Sequence, residues 1–222
     1  MKPKVRDGTA SPVIEAICLL AVFCVAGCEA DRPAETVMPK TLEKAVQEAK
    51  AGETFMGSSL SGQAMTVDEA KAAKDYISQH ADSSAYMLLM ALRKDHPQVY
   101  AGISDRTRAK VLCGALKNLT FLNDFGYLEP SGAYDGEAAM MLIDVGKPAI
   151  DCLGNLLGDK NEAPLFGSKE ATAGSAFGYR RCDFAYRYIM LILSREPTFP
   201  GDPADRDKLI AALKRELSRS GE

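Results

Sequence analysis

An all-α fold is what this 222-residue chain predicts, on three observations. Ala, Leu, Met, Glu and Lys dominate its body, no run of β-branched residues repeats at period two, and residues 137–159 (EAAMMLIDVGKPAIDCLGNLLGD) carry helical spacing on both sides of one tight break. Ala139, Leu142 and Ile143 share a face before the break; Ala149, Leu153, Leu156 and Leu157 share one after it. Gly146 suits the positive-φ turn that ends a helix, and Pro148 suits the first turn of the next, where a missing N–H does no harm. The stretch is a helical hairpin whose two apolar faces each need a partner.

Composition sets the class. With 46% hydrophobic and 26% charged residues the chain matches ordinary globular proteins and excludes disorder throughout. The formal charge is −3 over the whole chain and −4 without residues 1–27, so there is no basic footprint for nucleic acid.

Residues 1–27 have the pattern of a signal peptide. Lys2, Lys4 and Arg6 precede an uninterrupted apolar run over 16–26 that is too short to span a bilayer. The run ends in Val25-Ala26-Gly27-Cys28, which resembles the lipobox of bacterial lipoproteins, although Glu15 intrudes and Val25 stands where Leu is commonest. The resemblance implies lipidation of Cys28 and an exported, membrane-anchored lipoprotein of the bacterial cell envelope; a buried N-terminal helix or an uncleaved anchor is the alternative. Residues 28–65 are then expected to hold the lipidated Cys, a tether with Pro33 and Pro39, and a flexible helix over 41–51 that is capped by Thr41 and followed by a Gly/Ser-rich connector.

The globular domain is expected over 66–222. Thr66 and Glu69 form a capping box for a helix to about His80, and Asp82 or Ser83 caps another that Pro97 stops after Asp95. A helix over 105–122 follows, with Leu112, Cys113 and Leu116 inward. Residues 123–135 are expected to be a loop, as are 160–178, which allow at most one helical turn after Ser168. A strongly apolar helix over 180–195 precedes Pro197; Asp202 and Pro203 then start the last helix, with Leu209, Ile210, Leu213 and Leu217 as its stripe.

Leu142, Gly146, Pro148, Ala149, Leu153, Leu157 and Asp159 stand as they do in a HEAT repeat, which the hairpin resembles. The resemblance implies a short right-handed stack of antiparallel helix pairs, a HEAT-like α-solenoid, and a scaffold for partners. Three pairs result: 82–95 with 105–122, the hairpin, and 180–195 with 203–218.

No residues in the chain outline a cofactor or metal site. His80 and His96 each sit at a helix end, where the dipole favours them, and no Cys/His spacing argues for zinc. Asp124-Phe125-Gly126 copies a kinase tripeptide without its accompanying motifs, and Gly57-Ser58-Ser59-Leu60-Ser61 misses the hydrolase elbow at its last residue. Beyond the signal and Cys28, three cysteines remain, Cys113, Cys152 and Cys182; each lies on an apolar stripe, and buried reduced thiols are expected, with a disulfide as the alternative.

Entry to and exit from any helical hairpin lie at one end. The segments 123–135 and 160–178 should therefore crowd one edge, beside the helix start that bears Arg180 and Arg181. Asp124, Tyr127, Tyr134, Asp135, Phe166, Arg180 and Arg181 form the candidate binding edge. One arginine is expected to face solvent and the other to reach Asp124, Asp135 or loop carbonyls, while Asp183 and Arg187 pair four residues apart. Two function classes follow: a membrane-tethered interaction module that binds an envelope protein or ligand there, or an envelope enzyme using the carboxylates of Asp124, Asp135 and Asp183.

Overall fold

A computed structural model of the chain describes residues 38–129 and 132–220. The expected signal peptide, the lipobox-like stretch and Cys28 lie outside the described residues. The molecule is mostly helical, and the only sheet among the described residues has two strands.

Helix α1 (Lys40–Lys50) is followed, after the capping box of Thr66 and Glu69, by α2 (Val67–Gln79). Asp82 caps a 3-10 turn that leads into α3 (Tyr86–Asp95). Pro97 does stop that helix, but it also opens a short one, α4 (Pro97–Ala101), as its first-turn residue. Helix α5 (Asp105–Asn118) is capped by Ser104 and ends four residues earlier than its spacing suggested. Strands β1 (Gly126–Glu129) and β2 (Gly132–Asp135) form an antiparallel hairpin, with Tyr127 opposite Tyr134. Then come α6 (Glu137–Val145), Gly146 at φ +70°, and α7 (Ile150–Leu156), so the tight break stands where glycine and proline placed it. The chain closes with α8 (Ser168–Phe177), α9 (Arg181–Ile192) and α10 (Pro203–Ser220).

The central hairpin is where the core converges: α6 and α7 both pack against α5 on one side and α9 on the other, with α3 beyond α5 and α10 beyond α9. Leu88, Leu112, Leu116, Leu142, Leu153, Phe184 and Ile189 are wholly buried in one continuous cluster. Among the described residues no helix is long and apolar enough to cross a membrane.

Five expectations are corrected. Helix α1 is not a flexible appendage: Leu42, Ala45, Val46 and Ala49 are buried against α3, and the compact unit begins near residue 36 rather than at Thr66. Thr41 does not cap it; its hydroxyl donates to Glu69 at 2.5 Å, tying α1 to the start of α2. The connector after α1 is pinned by long-range bonds, since the Lys94 ammonium donates to the carbonyls of Leu60, Ser61 and Gln63 at 3.0–3.1 Å. Residues 123–135 are a hairpin rather than a loop, and 168–177 form ten residues of helix rather than one turn.

The cysteine expectation also fails in part. Packing of α5 on α7 brings Cys113 and Cys152 to a Cα separation of 6.1 Å, and the two are bridged. Cys182 is free and buried, and loss of solvent pushes its thiol up to about 11. Both histidines are structural: His80 stacks on Tyr76, and the His96 ring meets the Met65 carbonyl at 2.6 Å.

Candidate functional site

One edge of the molecule gathers three segments that are far apart in sequence. The first, 52–57, leaves α1 through Gly52, whose carbonyl accepts the Thr120 N–H at 2.8 Å, and makes a 3-10 turn over Phe55–Gly57. The second runs from Phe121 into the β-hairpin. It turns at Gly126, at φ +93°, where any Cβ would strike the Tyr134 carbonyl, so only glycine fits. The third is 164–167. Leu122 N–H donates to the Pro164 carbonyl at 3.0 Å, and the Asn123 side chain clamps Phe166 in both directions, Nδ2 donating to its carbonyl at 2.5 Å and Oδ1 accepting its N–H at 2.8 Å. The two long segments flanking the central hairpin therefore meet at one edge.

Between these segments lies an open groove of about 1010 Å³. Phe121 and Phe166 stand 6.1 Å apart on its wall, and Tyr127 stacks on Tyr134 at 5.7 Å. Period-two alternation in β1 turns Tyr127 to the groove and buries Leu128. Met56 is 82% exposed, Phe166 69%, Tyr134 59% and Phe121 39%. Most of the strongly exposed large apolar side chains of the described surface thus sit on one rim, which is the pattern of an interaction site rather than of scattered surface residues. A second depression, of about 1230 Å³, lies between α1 and the end of α2, but Lys40, Glu43, Lys44 and Asp82 on its wall give it an ordinary mixed-charge surface.

Asp124 lies beneath the groove and holds it together. Its Oδ2 accepts the Phe55 N–H at 2.5 Å and the Tyr86 hydroxyl at 2.9 Å, so one buried carboxylate ties the 52–57 segment to the head of α3. Burial raises its pKa above the usual 3.8, against hydrogen bonds that pull it down, and pushes the Tyr86 phenol well above 10.0. The native state then holds this proton more tightly than the unfolded chain does, so Asp124 makes stability fall as pH rises from 3.8 through the raised value. Asp124→Asn should flatten that part of the stability–pH curve in urea melts; an unchanged slope would mean that the carboxylate is solvated.

The other expected edge residues lie in a separate network. Asp135 is bound by Arg187 through two bonds of 2.7 and 2.8 Å, and the adjacent Tyr188 hydroxyl donates to the Phe125 carbonyl at 2.8 Å. Asp183 does not pair with Arg187; it is buried between Arg180 at 3.0 Å and Arg206 at 3.3 Å. Neither arginine stands free in solvent: Arg180 also pairs with Asp207 at 2.9 Å, and Arg181 is buried, donating to the carbonyls of Leu116 and, at 2.8 Å, Leu119 at the end of α5. Arg187 replaces both as the partner of Asp135, because α9 presents it almost two turns further along. The carboxylates of Asp124, Asp135 and Asp183 are each engaged by a different structural partner.

The structure therefore gathers Asp124, Tyr127, Tyr134 and Phe166 at the groove and places Asp135, Arg180 and Arg181 in ion pairs and caps behind it. Met56 and Glu53, which also line it, escaped sequence reading because they sit in a Gly/Ser-rich connector whose few apolar residues show no helical or strand period. Among the described residues no three His, Cys, Asp or Glu side chains gather to hold a metal. No family model, curated protein or solved structure matches this chain.

Proposed function

We propose that this chain is an exported lipoprotein, anchored through Cys28, whose helical domain is an interaction module that takes a ligand in the aromatic groove. The observation that carries the reading is the continuous exposed rim of Met56, Phe121, Tyr134 and Phe166 around a concave floor. Two further features support it. The Cys113–Cys152 bridge belongs to an oxidising compartment, in keeping with export. The succession of contacts from α3 and α5 through α6 and α7 to α9 and α10 supports reading the domain as a short HEAT-like stack, a scaffold that would leave its loop edge free for partners.

Two linked measurements test this. Cys28→Ser should release the protein from the membrane fraction and abolish fatty-acid labelling; unchanged partitioning would refute the anchor. A photoreactive benzoylphenylalanine at position 166 should give one discrete adduct in envelope membranes, identified by mass, while the same residue at exposed position 67, outside the groove, gives none. A protein adduct at 166 would make the occupant a partner chain, and equal adducts at both positions would remove the groove as the binding edge.

A further inference from the structure

The charge pattern of the groove restricts what it can bind. Glu53 and Asp124 line it, and among the described lining residues there is no Lys, Arg or His, although Lys and Arg make up 27 residues of the chain. An anionic ligand would find no counter-charge. The remaining walls are two aromatic pairs, Phe121 with Phe166 and Tyr127 with Tyr134. Aromatic faces are electron-rich and attract a cation lying within about 6 Å of the ring centre. Two acids, Glu53 at the rim and Asp124 beneath, together with four such rings make a site that favours positive charge while offering mainly apolar contact.

The nature of the cation follows from the hydrogen-bonding inventory. A primary ammonium needs up to three acceptors when it leaves water. Both polar ends of the Asn123 side chain are already taken by Phe166, and the Asp124 Oδ2 by Phe55 and Tyr86, so the side-chain acceptors left to an ammonium come down to Glu53, Thr54 and the two tyrosine hydroxyls. An N-methylated ammonium needs no acceptors, and its methyl groups pack directly on aromatic rings. Gly57 and Gly167 add no side chain to the space beside the rings. The volume of about 1010 Å³ is at the upper end for a small-molecule site, so a head group and a short substituent both fit.

We propose that the groove is a binding site for a small soluble compound carrying a trimethylammonium group, of the choline type. The proposal rests on reading the groove as the binding edge. The rings supply most of the attraction, and Glu53 at the rim and the fixed carboxylate of Asp124 supply the field.

The test uses the full chain in maltoside micelles, which carry no choline, titrated by calorimetry with choline and with 3,3-dimethyl-1-butanol, its neutral isostere. Choline should bind saturably, with the isostere at least about tenfold weaker, since only the charge distinguishes them. Phe166→Leu and Tyr134→Leu, both at exposed positions, should each weaken choline binding by about tenfold without shifting the thermal melt. Equal binding of the two compounds would reduce the groove to an apolar site and overturn the proposal. So would the absence of saturation below about 10 mM, or wild-type affinity in Phe166→Leu. Binding of the Cys28→Ser protein to phosphatidylcholine vesicles without binding of free choline would overturn the small-solute assignment. A discrete photoadduct at position 166 with no choline binding would sink this inference alone, whereas absence of both would sink the groove as well.

Discussion

Asp183→Ala should destabilise the oxidised protein by about 3–5 kcal/mol, the range for removing one partner of a buried ion pair. The Asp183 side chain has no exposed surface. Its Oδ1 accepts from Arg180 Nη2 at 3.0 Å, and its Oδ2 accepts from the Arg180 backbone N–H at 2.9 Å and from Nε at 3.2 Å, at the start of α9. The same Oδ2 faces Arg206 Nε at 3.3 Å. Arg206 is itself buried, lies over the Tyr179 ring at 4.8 Å and donates to the carbonyls of Pro200, Gly201, Phe177 and Gly178. It therefore locks the end of α8 and the 200–201 turn to α10. Without Asp183 its guanidinium keeps its carbonyls and loses the carboxylate facing it, and the cost falls on that unpaired charge. Arg180 is cushioned, since Asp207 still pairs with it. Urea melts decide the matter: a loss below about 1 kcal/mol would mean that water reaches Arg206.

Such contacts mark where sequence reading stops. What was legible was local. Gly146 and Pro148 announced the break in the hairpin, Thr66 and Glu69 the start of α2, and Asp202, whose Oδ1 accepts the Ala204 N–H at 2.8 Å, the start of α10. Spacing along 137–159 also placed Leu153 in the core. The meeting of the segments 123–135 and 160–178 followed from connectivity alone, and with it half of the groove. What was not legible depends on distant partners. The strands β1 and β2 are four residues each, below the length at which alternation separates from a loop, although Tyr127, Leu128, Ala133 and Tyr134 do alternate across the turn. Helix α8 (SKEATAGSAF) has a weak apolar stripe and an internal Gly174, so its sequence alone does not distinguish it from a loop. The 52–65 connector owes its order to Lys94, Glu48 and Asp124, none of which its own composition reveals. Likewise, helical periodicity put Cys113 and Cys152 on buried stripes without saying that those stripes face each other.

Arg181→Ala should cost about 2–4 kcal/mol, because two buried carbonyls lose a charged donor at once. Leu116 and Leu119 lie at the end of α5, where helix carbonyls have no partner of their own, and Arg181 reaches both from the first turn of α9. The residue thus ties the start of α9 to the end of α5. Burial drives its pKa down, opposed by the nearby Asp159, so the position accepts a guanidinium at some desolvation cost. Lysine is a poor substitute: it offers a point charge with no planar fork, and Arg181→Lys should recover less than half of the loss. The structural reach of the residue separates this from a local effect. Leu122 N–H donates to Pro164, Ala163 N–H to Tyr179 and Arg181 N–H to Asn161, so slackening at the end of α5 is transmitted to both segments that wall the groove. Amide exchange in Arg181→Ala should therefore rise together at 119–125 and 161–165, while α2 stays protected, and the groove should lose ligand affinity without any lining residue having changed. Exchange confined to 179–183 would show that Arg181 anchors only its own helix.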